Sequence, residues 1–339
     1  MNSTPSASQC SSPDFTYLDT PESLQLILHI ISIISTPIYC LGVYCILFKT
    51  PKEMRSVKWY LFILHFWIII FDYLISVLCI PYLLVPAPAG IPYGVLRYLG
   101  VPTSVQTVIT TVVLNYMFIS IISIYENRFF ILCEFRFKSQ WTLIRRVWLS
   151  AHYLLIVVFF IPVFTMIPDQ ETARDLVFEI LPCLPSFLYL EPIFVLALDY
   201  TYHMSMTLPV VSIQITELSL FVYLLVRDFL EKRKTQTMSE KTYQMHRQFF
   251  IAILAQVTIP FAQLGVPVTY LLISILIGYR DQAAINGCVI IATTHGFVST
   301  VVMVWVHKPY RLAVRRMIGI DRSDKEQRKS TVLSVQSNR

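Results

Sequence analysis

A few charged side chains stand inside long apolar segments, where an ionised group is costly and therefore suggests a function. Asp72 lies near the middle of the second apolar segment, so its carboxyl group needs a proton, an ion or a polar partner. Glu126 and Arg128 stand two residues apart at the end of the third segment. We predict a switch role for Asp72 and an ion-pair lock between Glu126 and Arg128. Two plainer interpretations stay open, namely a protonated, structural Asp72 and an Arg128 that snorkels to the membrane surface.

Uncharged polar side chains recur in three of the apolar segments and could line a ligand cavity. A cavity between membrane helices should be mostly apolar, with a few hydrogen-bonding groups. The candidate ligand-binding residues are Gln106, Thr107 and Thr110 in the third segment, Gln263 in the sixth, and Asn286 and Thr293 in the seventh. Asn286 and Thr293 are seven residues apart and so share a helix face. Each residue taken alone is more often an interhelical hydrogen-bonding group than a ligand contact.

Motifs of catalysis, metal binding and nucleic-acid binding are absent from the sequence. It has no His-Glu-x-x-His, Gly-x-Ser-x-Gly or paired-aspartate protease pattern, so we expect neither enzyme activity nor a cofactor. No two His or Cys residues have the short helical spacing of a metal site. The net charge of +6 is divided among short segments without a continuous basic face, which argues against a nucleic-acid partner.

The elements that must position these residues are membrane-spanning helices. Of the 339 residues, 55% are hydrophobic and 14% are charged, whereas soluble domains have about 25% charged residues. Blocks of about 20 or more mainly apolar residues are long enough to cross a bilayer. The predicted spans are residues 24–48, 57–84, 102–128, 146–167, 203–226, 248–277 and 283–306. The sequence therefore predicts an all-α membrane protein with a bundle of seven transmembrane helices.

The basic residues define the orientation of the bundle. Of the 27 Lys and Arg residues, 24 lie in the segments that follow spans one, three, five and seven. Cytoplasmic segments of membrane proteins carry such an excess. The N-terminus is therefore predicted outside the cell and the C-terminus in the cytoplasm, in a multi-pass plasma-membrane protein.

Two cysteines and one asparagine fall in the predicted extracellular segments. Cys10 and Cys183 would meet an oxidising environment, so we predict a disulfide between the N-terminal arm and the second outer loop. The alternative is two free or separately paired thiols. Asn2 begins an Asn-Ser-Thr glycosylation acceptor sequence.

The chain after span seven predicts a short helix along the inner leaflet. Pro309 ends or kinks the span, and Tyr310, Val314, Met317 and Ile318 recur at helical spacing. We divide the chain into an extracellular arm at 1–22, the bundle at 23–306, a juxtamembrane amphipathic helix at 307–320 and a disordered cytoplasmic tail at 321–339.

Several short motifs occur in order along the chain. They are Phe48-Lys49-Thr50-Pro51-Lys52, Val57-Lys58-Trp59-Tyr60, Glu126-Asn127-Arg128, Ile167-Pro168-Asp169-Gln170, Leu181-Pro182-Cys183-Leu184-Pro185, His295-Gly296 and His307-Lys308-Pro309-Tyr310-Arg311. Together they resemble the nematode serpentine chemoreceptors of class H, from about residue 12 to residue 311. The resemblance implies a seven-helix receptor of the G-protein-coupled type, used for chemosensation and located in sensory-cell membranes, often in cilia. By position, it also implies that Glu126 and Arg128 form the inner lock and that residues 307–311 close span seven.

Our leading hypothesis is a non-enzymatic receptor for a small-molecule chemical cue. The ligand would bind in the outer half of the bundle, and the inner ends of the helices would signal to a heterotrimeric G protein. Asp72, Glu126, Arg128, Pro309 and Tyr310 are the predicted switch and coupling residues, with membrane lipids as the surrounding partner. The alternative is a seven-span transporter or channel, which would need a continuous polar path. The sequence indicates no particular oligomeric state.

Overall fold

The computed structural model describes residues 15–182, 184–198, 201–235 and 240–319. Asn2, Cys10 and Cys183 lie outside the described residues, as does the tail from residue 321. The glycosylation site, the Cys10–Cys183 disulfide and the disordered tail therefore stay predictions.

The framework of the molecule is a bundle of long helices. Its main helices are α1 (Pro21–Lys49), α2 (Arg55–Tyr73), α4 (Thr103–Leu132), α5 (Lys138–Phe160), α8 (Thr201–Lys234), α9 (Glu240–Ile277) and α10 (Gln282–Val306). Six of these, counting α2 with its extension to Leu78, are long and apolar enough to cross a membrane. The other, α9, contributes the apolar stretch Ala262–Ile277 within its described part. The predicted seven-helix architecture is confirmed.

Helix α4 is the central element of the bundle. It packs against α2, α5 and α8, while α10 packs against α1 and α9. All residues from Ile119 to Arg128 on α4 are buried, which is the pattern of a helix surrounded by protein on every side. We call the end of the bundle at the start of α4 the outer end, following the predicted orientation. The end at Leu132 is the inner end.

Two helices end before their predicted spans do. After α2 the chain forms a π-helix at Leu74–Leu78 and then leaves the helical path, although 57–84 was predicted as one span. Ile80 has a φ of 44°, and a residue before a proline is disfavoured in the helical region. Helix α5 begins at Lys138 and ends at Phe160, whereas 146–167 was predicted. A proline follows at position 162, where it starts the short helix α6 (Pro162–Thr165).

The outer end carries a small antiparallel sheet, which was not predicted from the sequence. The strands are β1 (Pro81–Leu83), β2 (Ala89–Pro92) and β3 (Phe194–Val195), in the order β1-β2-β3. In the register, Tyr82 pairs with Ile91 and Gly90 with Phe194. Because β1 and β2 are buried or partly buried throughout, they lack polar alternation. Their composition therefore resembled the end of a membrane span.

Further short elements surround the sheet and close the inner end. The outer elements are a 3₁₀ turn at Tyr17–Asp19, α3 (Val95–Tyr98), α7 (Gln170–Ile180) and a 3₁₀ turn at Ser186–Leu190. At the inner end a 3₁₀ turn at Lys52–Met54 precedes α2, and α11 (Lys308–Met317) follows α10. The Tyr310 side chain of α11 is fully buried, and its hydroxyl group lies 2.8 Å from Thr50 Oγ1. Met317 remains 58% exposed, so the predicted apolar face of α11 only partly contacts the bundle.

Candidate functional site

A cavity of about 380 Å³ lies at the outer end of the bundle. Its size falls within the range of roughly 300–1,000 Å³ that is usual for ligand pockets. The β1–β2 hairpin and Phe194 of β3 form one side, and the first three turns of α4 form another. The described lining is completed by Ile75 of the π-helix, Cys79, Leu196, and Leu271 and Ile275 of α9. The cavity is thus bounded partly by helices and partly by the unpredicted sheet.

Three of the six predicted ligand-binding residues line this cavity. They are Gln106, Thr107 and Thr110, all on α4. Gln106 is buried, and its Nε2 donates a hydrogen bond to the Val101 carbonyl oxygen at 2.8 Å. Thr103 and Thr111 of the same helix also line the cavity.

The other three predicted residues lie elsewhere. Gln263 Nε2 donates to Thr294 Oγ1 at 2.5 Å. Asn286 Nδ2 donates to the carbonyl oxygen of Leu18 at 2.9 Å, which ties the N-terminal 3₁₀ turn to α10. Thr293 borders a narrow cleft near Asp72. The seven-residue spacing gave a shared helix face, but the sequence does not specify which neighbour that face meets.

Asp72 lies in a buried polar cluster at the interface of α1, α2 and α10. Its carboxylate accepts a short hydrogen bond from the Tyr39 hydroxyl group, and Oδ1 lies 2.8 Å from His295 Nδ1. The same ring nitrogen lies 2.8 Å from the Ala292 carbonyl oxygen. Since one N–H cannot point fully at two acceptors, the Asp72–His295 contact is an ion-pair distance rather than a well-aligned hydrogen bond. The carboxyl group, only 3% exposed as a residue, therefore has polar partners within the protein.

Close approach of α2 and α10 requires a glycine next to this cluster. A Cβ atom at Gly296 would lie 1.9 Å from Asp72 Oδ2 and 2.8 Å from Ile68 Cγ2. His295 and Gly296 stood out in the sequence only as a two-residue motif. This motif was the one feature of the sequence that marked the partner of Asp72. Its contact with Asp72 follows only from the packing of α2 against α10.

At the inner end, Glu126 pairs with Arg145 of α5 rather than with Arg128. Arg145 Nη2 lies 2.7 Å from Glu126 Oε2, and Trp141 Nε1 donates to Glu126 Oε1 at 2.7 Å. Arg145 also donates to Asn127 Oδ1 at 3.2 Å. Residues two apart on a helix point in different directions, so Glu126 and Arg128 cannot face each other. The predicted ion-pair partner was wrong, and the helix geometry is the reason.

Arg128 instead faces the junction of α10 and α11. It is 8% exposed and close to His307, the residue between these helices. Burial and the positive charge of Arg128 lower the pKa of His307 to about 4. Pro309 occupies the first turn of α11, next to the buried Tyr310. The predicted coupling residues Arg128, Pro309 and Tyr310 therefore lie near one another at the inner end.

Two polar contacts between α4, α5 and α8 were not anticipated as pairs. His152 Nε2 lies 3.0 Å from Glu217 Oε2, which places Glu217 against a neighbouring helix. Gln214 Nε2 donates to Asn115 Oδ1 at 3.2 Å. The residues lie far apart in the sequence, and their spacing carried no signal of contact.

Comparisons with known proteins agree on one architecture. Residues 19–320 match the family model described as serpentine type 7TM GPCR chemoreceptor Srh. Serpentine receptor class H-72 of Caenorhabditis elegans is 29% identical over 308 residues, which cover 89% of this chain and 88% of that protein. The crystal structure of squid rhodopsin aligns with a TM-score of 0.50 and 11% identity, covering 91% of this chain and 87% of that one. At that identity the rhodopsin likeness concerns the fold alone.

Proposed function

The chain belongs to the Srh family of serpentine seven-helix chemoreceptors, and from this premise we propose that it binds a small-molecule cue in its outer cavity and signals to a heterotrimeric G protein. The observation that carries the proposal is the cavity itself. It lies at the outer end, has a volume of about 380 Å³ and borders the central helix α4. We propose its location as the plasma membrane of sensory cells, including their cilia.

Helix α4 offers a direct mechanical link between the cavity and the inner end. Gln106 borders the cavity and Glu126, 20 positions further along the same helix, lies in the inner ionic cluster. At a rise of 1.5 Å per residue, the helix carries a displacement over about 30 Å. A ligand shifts the equilibrium between two helix arrangements only by its difference in affinity for them. Because the ligand contacts α4, its affinity depends on the position of that helix and so differs between the two arrangements.

The contacts of Glu126 and Arg128 at the inner end are those that we propose to differ between the two helix arrangements. The contact between Glu126 and Arg145 joins α4 to α5, and Arg128 lies near the α10–α11 junction. We propose that activation alters these contacts and exposes the basic inner segments to the G protein. Asp72, Pro309 and Tyr310 support this change through the packing of α10 and α11. The buried Asp72 cluster would keep α2 and α10 in register.

The proposal is tested by measuring G-protein activation in cultured cells with a panel of volatile and water-soluble odorants. The key variant is Thr110→Phe, which fills the cavity. The matched control is Thr216→Phe, because Thr216 is exposed on α8 and also donates its hydroxyl group to the carbonyl oxygen four residues earlier. We expect the odorant response to disappear in the first variant and to persist in the control at equal surface expression.

Two results would contradict the proposal. If Thr110→Phe responds like the unaltered protein, the ligand does not use this cavity. If the purified protein in liposomes carries a solute or a current without any G protein, the chain acts as a transporter or channel. Arg128→Ala tests the inner end separately, and we expect it to abolish signalling while ligand binding remains.

A further inference from the structure

Three of the four threonines that line the cavity donate their hydroxyl hydrogens to backbone carbonyl oxygens of α4. Thr107 Oγ1 donates to the Thr103 carbonyl oxygen at 2.9 Å, and Thr110 Oγ1 donates to the Gln106 carbonyl oxygen at 2.8 Å. Thr111 Oγ1 donates in the same way to Thr107 at 2.9 Å. A hydroxyl group has one hydrogen and two lone pairs. Each of these three oxygens can therefore offer only an acceptor to a ligand.

Gln106 also presents an acceptor without a donor. Its Nε2 donates to the Val101 carbonyl oxygen, while its Oε1 is buried and has no hydrogen-bond partner among the residues that the structure describes. The residue is 2% exposed. A buried acceptor without a partner is unfavourable, because it has lost its hydrogen bonds to water and has formed none within the protein. A donor brought by a ligand would correct this deficit once the Gln106 amide turns its oxygen toward the cavity.

The rest of the described lining provides few side-chain donors, chiefly the Thr103 hydroxyl group. None of its residues carries a charge, and Pro81, Pro88 and Pro92 of the hairpin region have no backbone N–H. The Cys79 thiol lies 3.7 Å from Thr110 Oγ1 and can donate to that oxygen, because the Thr110 hydrogen points to Gln106. The polar groups that surround the cavity are thus strongly biased toward accepting hydrogen bonds.

We infer that the ligand is an uncharged, mainly apolar molecule that carries a hydrogen-bond donor, such as an alcohol or a phenol. This inference rests on the proposed function, since it names the ligand class of the same cavity. A cavity of roughly 150 Å³ holds benzene, which has six non-hydrogen atoms. By the same ratio, a cavity of 380 Å³ accommodates a ligand of about 15 non-hydrogen atoms. Ketones, esters and ethers of equal size offer only acceptors and bind more weakly.

The test compares matched molecules on the purified receptor in lipid nanodiscs. Menthol and menthone share a skeleton and differ at one oxygen, as do 2-octanol and 2-octanone in a linear chain. Binding is measured from the rise in unfolding temperature with ligand concentration, which gives Kd because the stabilisation equals RT ln(1 + c/Kd) at a free ligand concentration c. We expect each alcohol to bind at least about ten-fold more tightly than its ketone, as the cost of an unpaired buried acceptor implies.

Two variants identify the origin of this preference. Gln106→Leu removes the unpaired acceptor, so the ratio between alcohol and ketone should move toward one. Gln214→Leu is the matched control, because Gln214 is also buried but contacts Asn115 outside the cavity lining. It should keep the wild-type ratio. If Gln106→Leu does not fold, Thr107→Val combined with Thr110→Val removes two acceptors at nearly constant volume.

Three outcomes would overturn the inference. They are equal or tighter binding of the ketones, a ratio that Gln106→Leu leaves unchanged, and no stabilisation by any of the four molecules. G-protein activation is measured separately on the same preparations. If the alcohols bind selectively and no G protein responds, the proposed function fails while the ligand class stands. If a ketone activates the G protein as well as its alcohol, the receptor stands and the donor preference fails.

Discussion

The contact between Glu126 and Arg145 gives the sharpest test of how the inner end is built. The Glu126 side chain is 4% exposed and that of Arg145 is 16% exposed. Replacing Arg145 by Gln keeps a polar side chain of moderate length but removes the positive charge. The Glu126 carboxylate then stays buried with Trp141 as its remaining close donor at 2.7 Å.

The size of the effect follows from burial. Breaking a buried ion pair by removing one partner costs about 3–5 kcal/mol. The Trp141 bond survives, and water reaches the partly exposed position of Arg145, so we expect a loss of about 2–3 kcal/mol. Arg146→Gln is the matched control on the next residue of the same helix. Because Arg146 is exposed, its replacement should change stability by less than about 0.5 kcal/mol.

A double-mutant cycle separates this pair from the alternative. Unfolding in mixed micelles is measured for Glu126→Gln, for Arg145→Gln and for the combination, and then with Arg128→Gln as the second change. We expect a coupling of about 2 kcal/mol between Glu126 and Arg145, and a coupling within about 0.5 kcal/mol of zero between Glu126 and Arg128. A larger coupling with Arg128 would refute the helix-geometry argument. If the contact also restrains activation, Arg145→Gln raises signalling without ligand.

Three further predictions concern the Asp72 cluster and the junction of α10 and α11. Gly296→Ala should destabilise the fold by at least about 1–3 kcal/mol, because the added carbon would lie 1.9 Å from Asp72 Oδ2; Gly287→Ala, with open space around it, should be tolerated, and surface expression reports both. Tyr39→Phe removes a donor to a buried carboxylate and should lower the unfolding free energy by about 1.5–3 kcal/mol in the same micelle assay. The third prediction is a pH dependence. Burial and a neighbouring arginine lower the pKa of His307 to about 4, so the unfolded chain gains a proton below pH 6.5 while the folded chain does not. Stability should therefore fall by up to about 3 kcal/mol between pH 6.5 and pH 4, and His307→Phe should abolish that part of the decrease.

The helical framework was predictable because it depends on local composition. A run of about 20 apolar residues must satisfy its backbone hydrogen bonds internally in a bilayer, so it has to be a helix. Span seven, predicted at 283–306, is found at Gln282–Val306. Where the local signal was ambiguous, the prediction failed. The apolar composition of residues 79–84 suits a helix as well as a strand. Only the pairing of residues 81–83 with β2 makes this segment part of a sheet.

The candidate site was predictable only in part. Gln106, Thr107 and Thr110 are close in sequence and on one helix, so they stay together in any arrangement of the bundle. Gln263 and Asn286 depend on how separate helices rotate, and each turned out to bond outside the cavity. Hydrogen-bonding capacity was visible in the sequence, but the direction of the side chain was not.

The sequence by itself determined the number of spans, their composition and the asymmetry of basic residues, since hydrophobicity and charge act through the surrounding solvent. Tertiary structure alone decided which residues became partners. Asp72 contacts His295 across 223 positions of the chain, and Glu126 contacts Arg145 on the next helix. Such contacts depend on the rotation and spacing of the packed helices. No short sequence motif encodes that geometry. The cavity has the same origin, because its volume is the space that the helices and the sheet leave between them.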